Sequence, residues 1–380
     1  MEKPKVLYLP FSSHLYGDNK SLLCTLLGLK DRVTILVGVT QEGPLTEELA
    51  RNGIAYKIVS STMTPRYFPL RVSHPFLHKS YGYPSYLLNY VRTYFQLKRI
   101  IKDFKPDLIH SNNSIVFSGA IMSKVFHIPH VWHIREYIDK DHGYRFPDKT
   151  FYDENRKTSH CIAITRGLFD HFGLSSPKDV HIYNGVLAQE DIPEYKKEKL
   201  KYFLYLGRIT EMKGVEEMLE AFCRFCKTND GYKLLLAGEG ALGYMEKLQD
   251  YIRQEEILQN KVEFLGYRKD IQTLLQNATA LIVPSRFEAM GRITLEAMMM
   301  GCFVIGRNTG GTKELLENDS TGILYDTIDD LVIALGKVAA MQCDELEKEN
   351  LRALECAKKK YTNEINADKI FEFYCRILKR

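Results

Sequence analysis

The sequence predicts an α/β protein made of two parallel-sheet domains, and three observations carry that expectation. Short apolar runs alternate with amphipathic stretches along the whole chain, the pattern of parallel strands that return through helices. The alternation is interrupted by a polar, Lys/Glu-rich stretch at 189–199 that contains Pro193, and then restarts. The length of 380 residues also suits about two domains.

The strands expected in the first half are residues 6–9, 33–37, 55–59, 108–110, 130–132, 161–164 and 181–182. Between them lie helical patterns such as 86–104, where Leu87, Leu88, Val91, Tyr94, Phe95, Leu97, Lys98 and Ile101 recur at three-to-four spacing. After the polar stretch, strands are expected at 202–206, 233–237, 262–265, 280–283, 303–305 and 322–324, and helices at 331–341, 345–361 and 363–378. Open parallel sheets bind ligands at the carboxyl ends of their strands. Two such sheets facing each other predict a deep cleft where two substrates meet.

Composition narrows the function classes. Apolar residues make up 45% and charged residues 26%, too much apolar material for a disordered chain. The net charge is +4, far from that of a protein devoted to coating nucleic acid. No run approaches the roughly 18–20 apolar residues of a membrane span. The first six residues lead straight into a strand-like segment, so no signal peptide is expected. The eight cysteines are sparse, and Cys24, Cys161 and Cys302 sit in apolar runs where a thiol packs as a small hydrophobe. Cys223 and Cys226 form a Cys-x-x-Cys with no second pair to complete a zinc ribbon. These features predict a reducing, cytoplasmic setting and no structural metal.

The densest chemistry lies between Pro284 and Glu314. Glu288 follows a strand, Gly291 opens a helix, and Glu296 falls inside that helix about two turns from Glu288. The helix start near Ala289–Arg292 offers backbone N–H groups to an anion. Glu296 is a carboxylate among Ile293, Leu295, Ala297 and Met298, which is costly without hydroxyl or N–H partners, and a ribose diol would supply them. Upstream, Gly207 and Arg208 follow a strand and Lys213 precedes Gly214 at a helix start. Two cations on one strand-to-helix loop suit a diphosphate leaving group. Gly238-Glu239-Gly240 forms a third strand-end turn, and it lacks the further glycine of a dinucleotide fingerprint.

Taken in order, Gly-Arg…Lys-Gly, Gly-Glu-Gly, Phe-Leu-Gly, a Glu-seven-residue-Glu pair and Gly-Gly-x-x-Glu resemble the retaining family 4 glycosyltransferases across the whole second half. The resemblance implies the GT-B fold, with two Rossmann-like domains across a cleft that closes on its substrates and a C-terminal helix returning to the N-terminal domain. It divides the chain into an acceptor-side domain, 1–188 joined by 363–380, and a nucleotide-sugar-binding domain, 189–362. It also implies that Glu288 contacts the donor sugar, that Glu296 binds the ribose hydroxyls, and that Arg208 and Lys213 stabilise the departing diphosphate. Gly207, Gly238, Glu239 and the loop Met290, Gly291, Arg292 and Ile293 then line the donor, and residues 262–266 lead to the base. In the first half the same resemblance assigns the contact with the transferred sugar to His133, in a loop after a strand. Gly17, Asp18, Asn19, Arg135, Glu136, Arg166 and Asn184 are the acceptor-side or loop candidates. The family often has a Gly-Gly pair where this chain has Tyr16-Gly17-Asp18.

The implied reaction moves a sugar, with retained configuration, from a nucleotide-diphosphate sugar to a hydroxyl acceptor, with no metal and no cofactor. A UDP sugar is the favoured donor and GDP-mannose the other choice; the acceptor class is a glycan or a lipid-linked intermediate of surface polysaccharide. A GT-B sugar-nucleotide epimerase and a non-catalytic nucleotide-sugar-binding protein are the competing readings. The Asp139-Lys-Asp141 triplet reads as solvated surface. Residues 1–190 hold 24 Lys/Arg against 17 Asp/Glu, and from 49 to 102 there are nine basic residues and no acid. The core of that window, Arg66 to Phe95, adds nine aromatics. Within the resemblance, window 51–102 points to peripheral contact with an anionic inner leaflet or with a phosphate-bearing acceptor rather than to nucleic acid.

Overall fold

The computed structural model describes residues 2–64, 68–69, 83–137, 144–145, 149–317 and 321–380. The chain forms two compact units, Met1–Gly185 with Asn363–Arg380, and Val186–Thr362.

The first unit contains β1 (Lys5–Pro10), β2 (Thr34–Val39), β3 (Ala55–Ile58), β4 (Phe68–Pro69), β5 (Leu108–Asn112), β6 (His130–Ile134), β7 (Tyr144–Arg145), β8 (His160–Ala163) and β9 (Val180–His181). Seven of these make one sheet in the order β3-β2-β1-β5-β6-β8-β9, while β4 and β7 pair separately. Every pairing in the seven-stranded sheet is parallel. A parallel neighbour cannot be reached through a tight hairpin, so the chain returns through helices such as Gly17–Leu29 and Ser118–Phe126. Their apolar positions recur at helical spacing: Leu22, Leu26 and Leu29 are fully buried.

What covers that face is the last helix, Asn363–Leu378. Its Ile370, Phe373 and Tyr374 join Leu22, Leu26 and Leu29 in one core cluster. A fully buried side chain of this size contributes about 1.5–3 kcal/mol. Polar groups register the contact: Thr25 Oγ1 donates to Asn366 Oδ1 at 2.7 Å, and Asn366 Nδ2 donates to the Tyr183 carbonyl at 2.7 Å.

The second unit contains β10 (Leu200–Leu206), β11 (Lys233–Ala237), β12 (Val262–Gly266), β13 (Ala278–Val283), β14 (Phe303–Arg307) and β15 (Ile323–Tyr325). They form a sheet in the order β12-β11-β10-β13-β14-β15, again with every pairing parallel. Helix Val215–Cys226 buries Met218, Leu219, Phe222 and Phe225 against it, which explains Cys223 and Cys226 as buried packing residues. Phe203 meets Phe225 edge-on at 5.5 Å between ring centres. In both units the order reverses beside the first strand, the Rossmann arrangement.

No helix of the described residues is long and apolar enough to cross a membrane. Arg66, Arg71 and Lys79 of the basic window and the Asp139-Lys-Asp141 triplet lie outside the described residues. The helix at the end of that window runs from Tyr83 to Phe104.

Gly28 shows how tightly the last helix sits. A Cβ there would fall 2.6 Å from the Ala367 Cβ, a rigid neighbour. Gly28→Val should therefore destabilise the first unit by about 1–3 kcal/mol. Trp132 is the single tryptophan of the sequence and is fully buried in this unit, so its fluorescence during urea unfolding isolates the effect. Gly243→Ala, on an open helix face of the second unit, should leave the Trp132 transition where it is.

Candidate active site

In the second sheet the order reverses between β10 and β13, and ligands bind outside the carboxyl ends of strands at such a point. Gly207, Arg208 and Lys213 follow β10, and Ser285 and Glu288 follow β13. Glycines permit the backbone to crowd there. Gly207 N donates to the Ala237 carbonyl at 3.1 Å and Gly238 N to the Gly266 carbonyl at 2.9 Å. A Cβ on Gly238 would lie 1.8 Å from the Gly207 carbonyl oxygen, so no other residue fits.

Lys213 is delivered to Glu288 by backbone packing. Gly214 has φ +66°, and a Cβ there would meet the Pro284 carbonyl oxygen at 2.2 Å. The Glu211–Lys213 turn thus presses against the end of β13, where Arg286 N donates to the Met212 carbonyl at 3.0 Å. Lys213 Nζ then reaches Glu288 Oε1 at 2.5 Å, and Ser285 Oγ donates to the same oxygen at 2.7 Å. From the other side Gly311 N donates to the Glu288 carbonyl at 2.7 Å, and a Cβ at Gly310 would strike that carbonyl oxygen at 2.3 Å. Glu217 clamps the surroundings, pairing with Arg286 at 3.0 Å and with Arg307.

Gly291, with φ +80°, starts helix Arg292–Met299. A Cβ on it would lie 3.0 Å from Thr312 Oγ1 and 3.2 Å from Thr294 Oγ1. Both hydroxyls are buried, and neither has a hydrogen-bond partner among the described residues. Two unpaired hydroxyls beside a helix N-terminus suit an anionic or hydroxyl-rich ligand. Met290 is buried against Gly311, Ile293 is half-buried, and Glu239 and Arg208 are exposed. Among the described residues no three His, Cys, Asp or Glu side chains gather as a metal site.

Glu296 has an N–H partner within its own helix: Arg292 Nε donates to it at 2.8 Å, while Arg292 Nη2 donates to the Val186 carbonyl at 3.0 Å. The i,i+4 spacing of Arg292 and Glu296 carried that signal.

In the first unit His133 lies inside β6 rather than in the loop after it, because the strand continues past Trp132 to Ile134. It is fully buried. Its Nδ1 is 3.2 Å from His110 Nε2 and 3.3 Å from Arg135 Nη2. Arg135 donates to Asn112 Oδ1 at 2.8 Å and to Asn184 Oδ1 at 2.7 Å. Behind His110 stands Tyr374, with its hydroxyl 2.5 Å from His110 Nδ1 and 2.9 Å from the Tyr8 hydroxyl. Glu136 accepts from Ser114 N at 3.0 Å and so orders the loop after β5.

The other candidates on this side lie at a helix start, in a buried loop and on an exposed helix. Gly17 begins a helix and Asp18 sits in its first turn. Asn19 is buried and donates to the Ser12 and His14 carbonyls at 2.9 and 2.7 Å, which pins the loop, while its Oδ1 has no partner among the described residues. Arg166 is exposed, paired with Asp170 at 3.1 Å. Sequence reasoning missed Ser285, Thr294, Thr312, His110, Tyr8 and Tyr374.

Residues 188–352 match the model of glycosyl transferases group 1, and residues 44–189 match that of glycosyltransferase family 4. The chain belongs to the group 1, family 4 type of glycosyltransferase. Similar proteins of this type include an uncharacterized glycosyltransferase of Methanocaldococcus jannaschii, 26% identical over 58% of this chain and 62% of the relative. A glycogen synthase of Mycobacterium tuberculosis is 34% identical over 61% of this chain and 60% of its own length. The matched part therefore spans about three-fifths of the length of these relatives. Among solved structures, Anabaena Alr3699/HepE in complex with UDP aligns with a TM-score of 0.78 at 20% identity, over 98% of this chain and 100% of that one. A glycosyltransferase from Rickettsia africae aligns at 0.79 and 19% identity, over all of both chains. The likeness establishes GT-B as the fold of this chain.

Among the described residues, the first unit of this chain carries three fully buried histidines, His110, His130 and His133. Burial pushes the pKa of His110 and His133 well down, reinforced by the Arg135 charge. Burial lowers that of His130 to about 3. An unfolded histidine titrates near about 6.5. Below that pH the unfolded chain takes up protons that the fold refuses, so stability falls with acid, by up to about 1.4 kcal/mol per pH unit for each histidine. The thermal midpoint followed by Trp132 fluorescence should drop steeply between about pH 6.5 and 5; a flat profile there would contradict the neutral, buried state.

Proposed function

We propose that this chain transfers a sugar from a nucleotide-diphosphate sugar to a hydroxyl acceptor, retaining the anomeric configuration. The observation that carries the reading is the meeting of Lys213 and Glu288 at the switch point between β10 and β13. An ammonium, an exposed Arg208 and a helix N-terminus bring positive charge to one strand edge, where a leaving diphosphate develops negative charge. Glu288 is held by Lys213 and Ser285 while its backbone is fixed by Gly311, so its carboxylate is pre-set to meet a sugar hydroxyl.

In the proposed step the bond from anomeric carbon to phosphate oxygen breaks. The acceptor oxygen bonds to that carbon on the same face, and the departing phosphate takes the acceptor proton. Side chains meet the phosphate charge, and we assign no role to a metal or a cofactor. The complexes of Alr3699/HepE with UDP and with UDP-glucose support a UDP sugar as donor. Relatives named glycogen synthase and lipopolysaccharide 1,6-galactosyltransferase support a glycan or lipid-linked glycan as acceptor.

Incubation with a panel of UDP and GDP sugars should give slow release of nucleotide from a UDP sugar, unchanged by EDTA. Lys213→Ala and Glu288→Gln should each lower turnover about 100-fold or more while leaving the Trp132 unfolding transition unchanged. Turnover near the wild-type rate in both would overturn the assignment.

The acceptor side of the reading includes peripheral contact, from the cytoplasm, with an anionic membrane surface. On helix Tyr83–Phe104, Leu87, Leu88, Val91 and Phe95 are 56%, 67%, 47% and 61% exposed. Arg92, Arg99 and Lys102 are exposed on the same helix, and Asp103, 3.9 Å from Arg99, is its one acid. Exposed apolar side chains among cations match the chemistry of an anionic lipid interface. Vesicles containing phosphatidylserine should pull down the chain at low salt, and Val91→Asp should abolish this. Equal binding to neutral vesicles, or unchanged binding by Val91→Asp, would overturn it.

A further inference from the structure

The buried polar groups of the first unit form one chain, Tyr8–Tyr374–His110–His133, that draws on β1, the last helix, β5 and β6. Arg135 fixes the direction of every proton in it. Its guanidinium donates and never accepts, so at 3.3 Å it requires His133 Nδ1 to be the bare nitrogen. His110 Nε2, 3.2 Å from that same lone pair, must then carry a hydrogen. That leaves His110 Nδ1 bare, to accept from the Tyr374 hydroxyl at 2.5 Å, and the Tyr374 oxygen in turn accepts from Tyr8.

At the far end the neutral imidazole keeps its hydrogen on Nε2. That nitrogen is buried and has no partner among the described residues. We propose that Arg135, His110 and Tyr374 are positioning residues that hold His133 as a neutral Nε2–H donor for an oxygen of the transferred sugar. The inference rests on the glycosyltransferase reading above and sharpens it. A nitrogen that already bears a hydrogen cannot take one from the acceptor, so His133 orients the sugar and leaves acceptor deprotonation to the departing phosphate.

The charged and titratable groups around His133 are Arg135 and His110, with His130, Tyr374 and Tyr8 packed behind His110. Arg135 and His110 disfavour a second proton, as does burial. The state therefore persists across the physiological range.

The test is nitrogen-15 NMR of histidine-labelled full-length protein, with the His133 signals assigned by their loss in His133→Gln. Expected is a single neutral species with Nε2 protonated and Nδ1 bare, unchanged between about pH 5 and 8. A protonated Nδ1, or titration in that range, overturns the proposal. In kinetics, His110→Phe should lower kcat about 10-fold or more, as expected when a buried hydrogen-bond partner is lost, with KM for the donor nearly unchanged. His110→Gln, whose amide N–H can stand where Nε2–H stands, should recover most of it. Equal damage in both variants would mean that His110 only fills space, and would overturn its role. Tyr374→Phe keeps the ring and should lower kcat roughly 2- to 10-fold. The NMR reading needs no substrate. If it shows the Nε2–H form while the wild type turns over no nucleotide sugar, the assignment of function falls and the proton order stands.

Discussion

Parallel strand pairing is the constraint from which the rest of this molecule follows. A parallel strand hands its neighbour only slanted hydrogen bonds and forbids a hairpin, so each connection must cross the sheet through a helix. In return, all carboxyl ends open along one edge. Where the strand order reverses, helices leave in opposite directions and the edge is left uncovered. In the second sheet that edge carries Gly207 and Arg208 after β10, and Ser285 and Glu288 after β13. The candidate site residues stand together because topology gathers strand ends that are about 75 positions apart in sequence.

The two units solve the cost of polar groups differently. Around Glu288 the side chains are only partly buried: Lys213 and Glu288 keep 23% and 20% exposure. Such a pair gains a modest Coulomb energy and stays free to exchange partners when a charged ligand arrives. Around His133 the groups are sealed, and every one that is left unpaired costs about 1–3 kcal/mol. That cost selects a single arrangement of protons. One site is kept adaptable by water and the other is made definite by its absence.

Much of this was legible in the sequence. Strand and helix positions emerge from local periodicity, and the order of the Gly-Arg, Lys-Gly, Glu-Glu and Gly-Gly motifs survives because each marks a strand end or a helix start. The strand through His133 was read two residues short, since His133 looks polar and a strand buried on both faces shows no alternation to follow. The partners of His133 were illegible for a different reason. Tyr374 is 264 positions from His110, and no local pattern announces that the last helix will cover the first sheet. The pairing of Arg292 with Glu296 was within reach of a spacing rule, and the unpaired hydroxyls of Thr294 and Thr312 were not, because they depend on the absence of a side chain at Gly291.

The last helix also sets an order of assembly. The first unit is discontinuous, closed by residues 363–380, whereas the second is a continuous stretch, 186–362. On the ribosome the segment that begins second can finish its core first. The segment that begins first must keep Leu22, Leu26 and Leu29 waiting, with their partners Ile370, Phe373 and Tyr374 not yet made. Until residue 363 and those after it are made, the apolar seam of the first unit has no cover, so the first half of the chain to be synthesised is the last to complete its core.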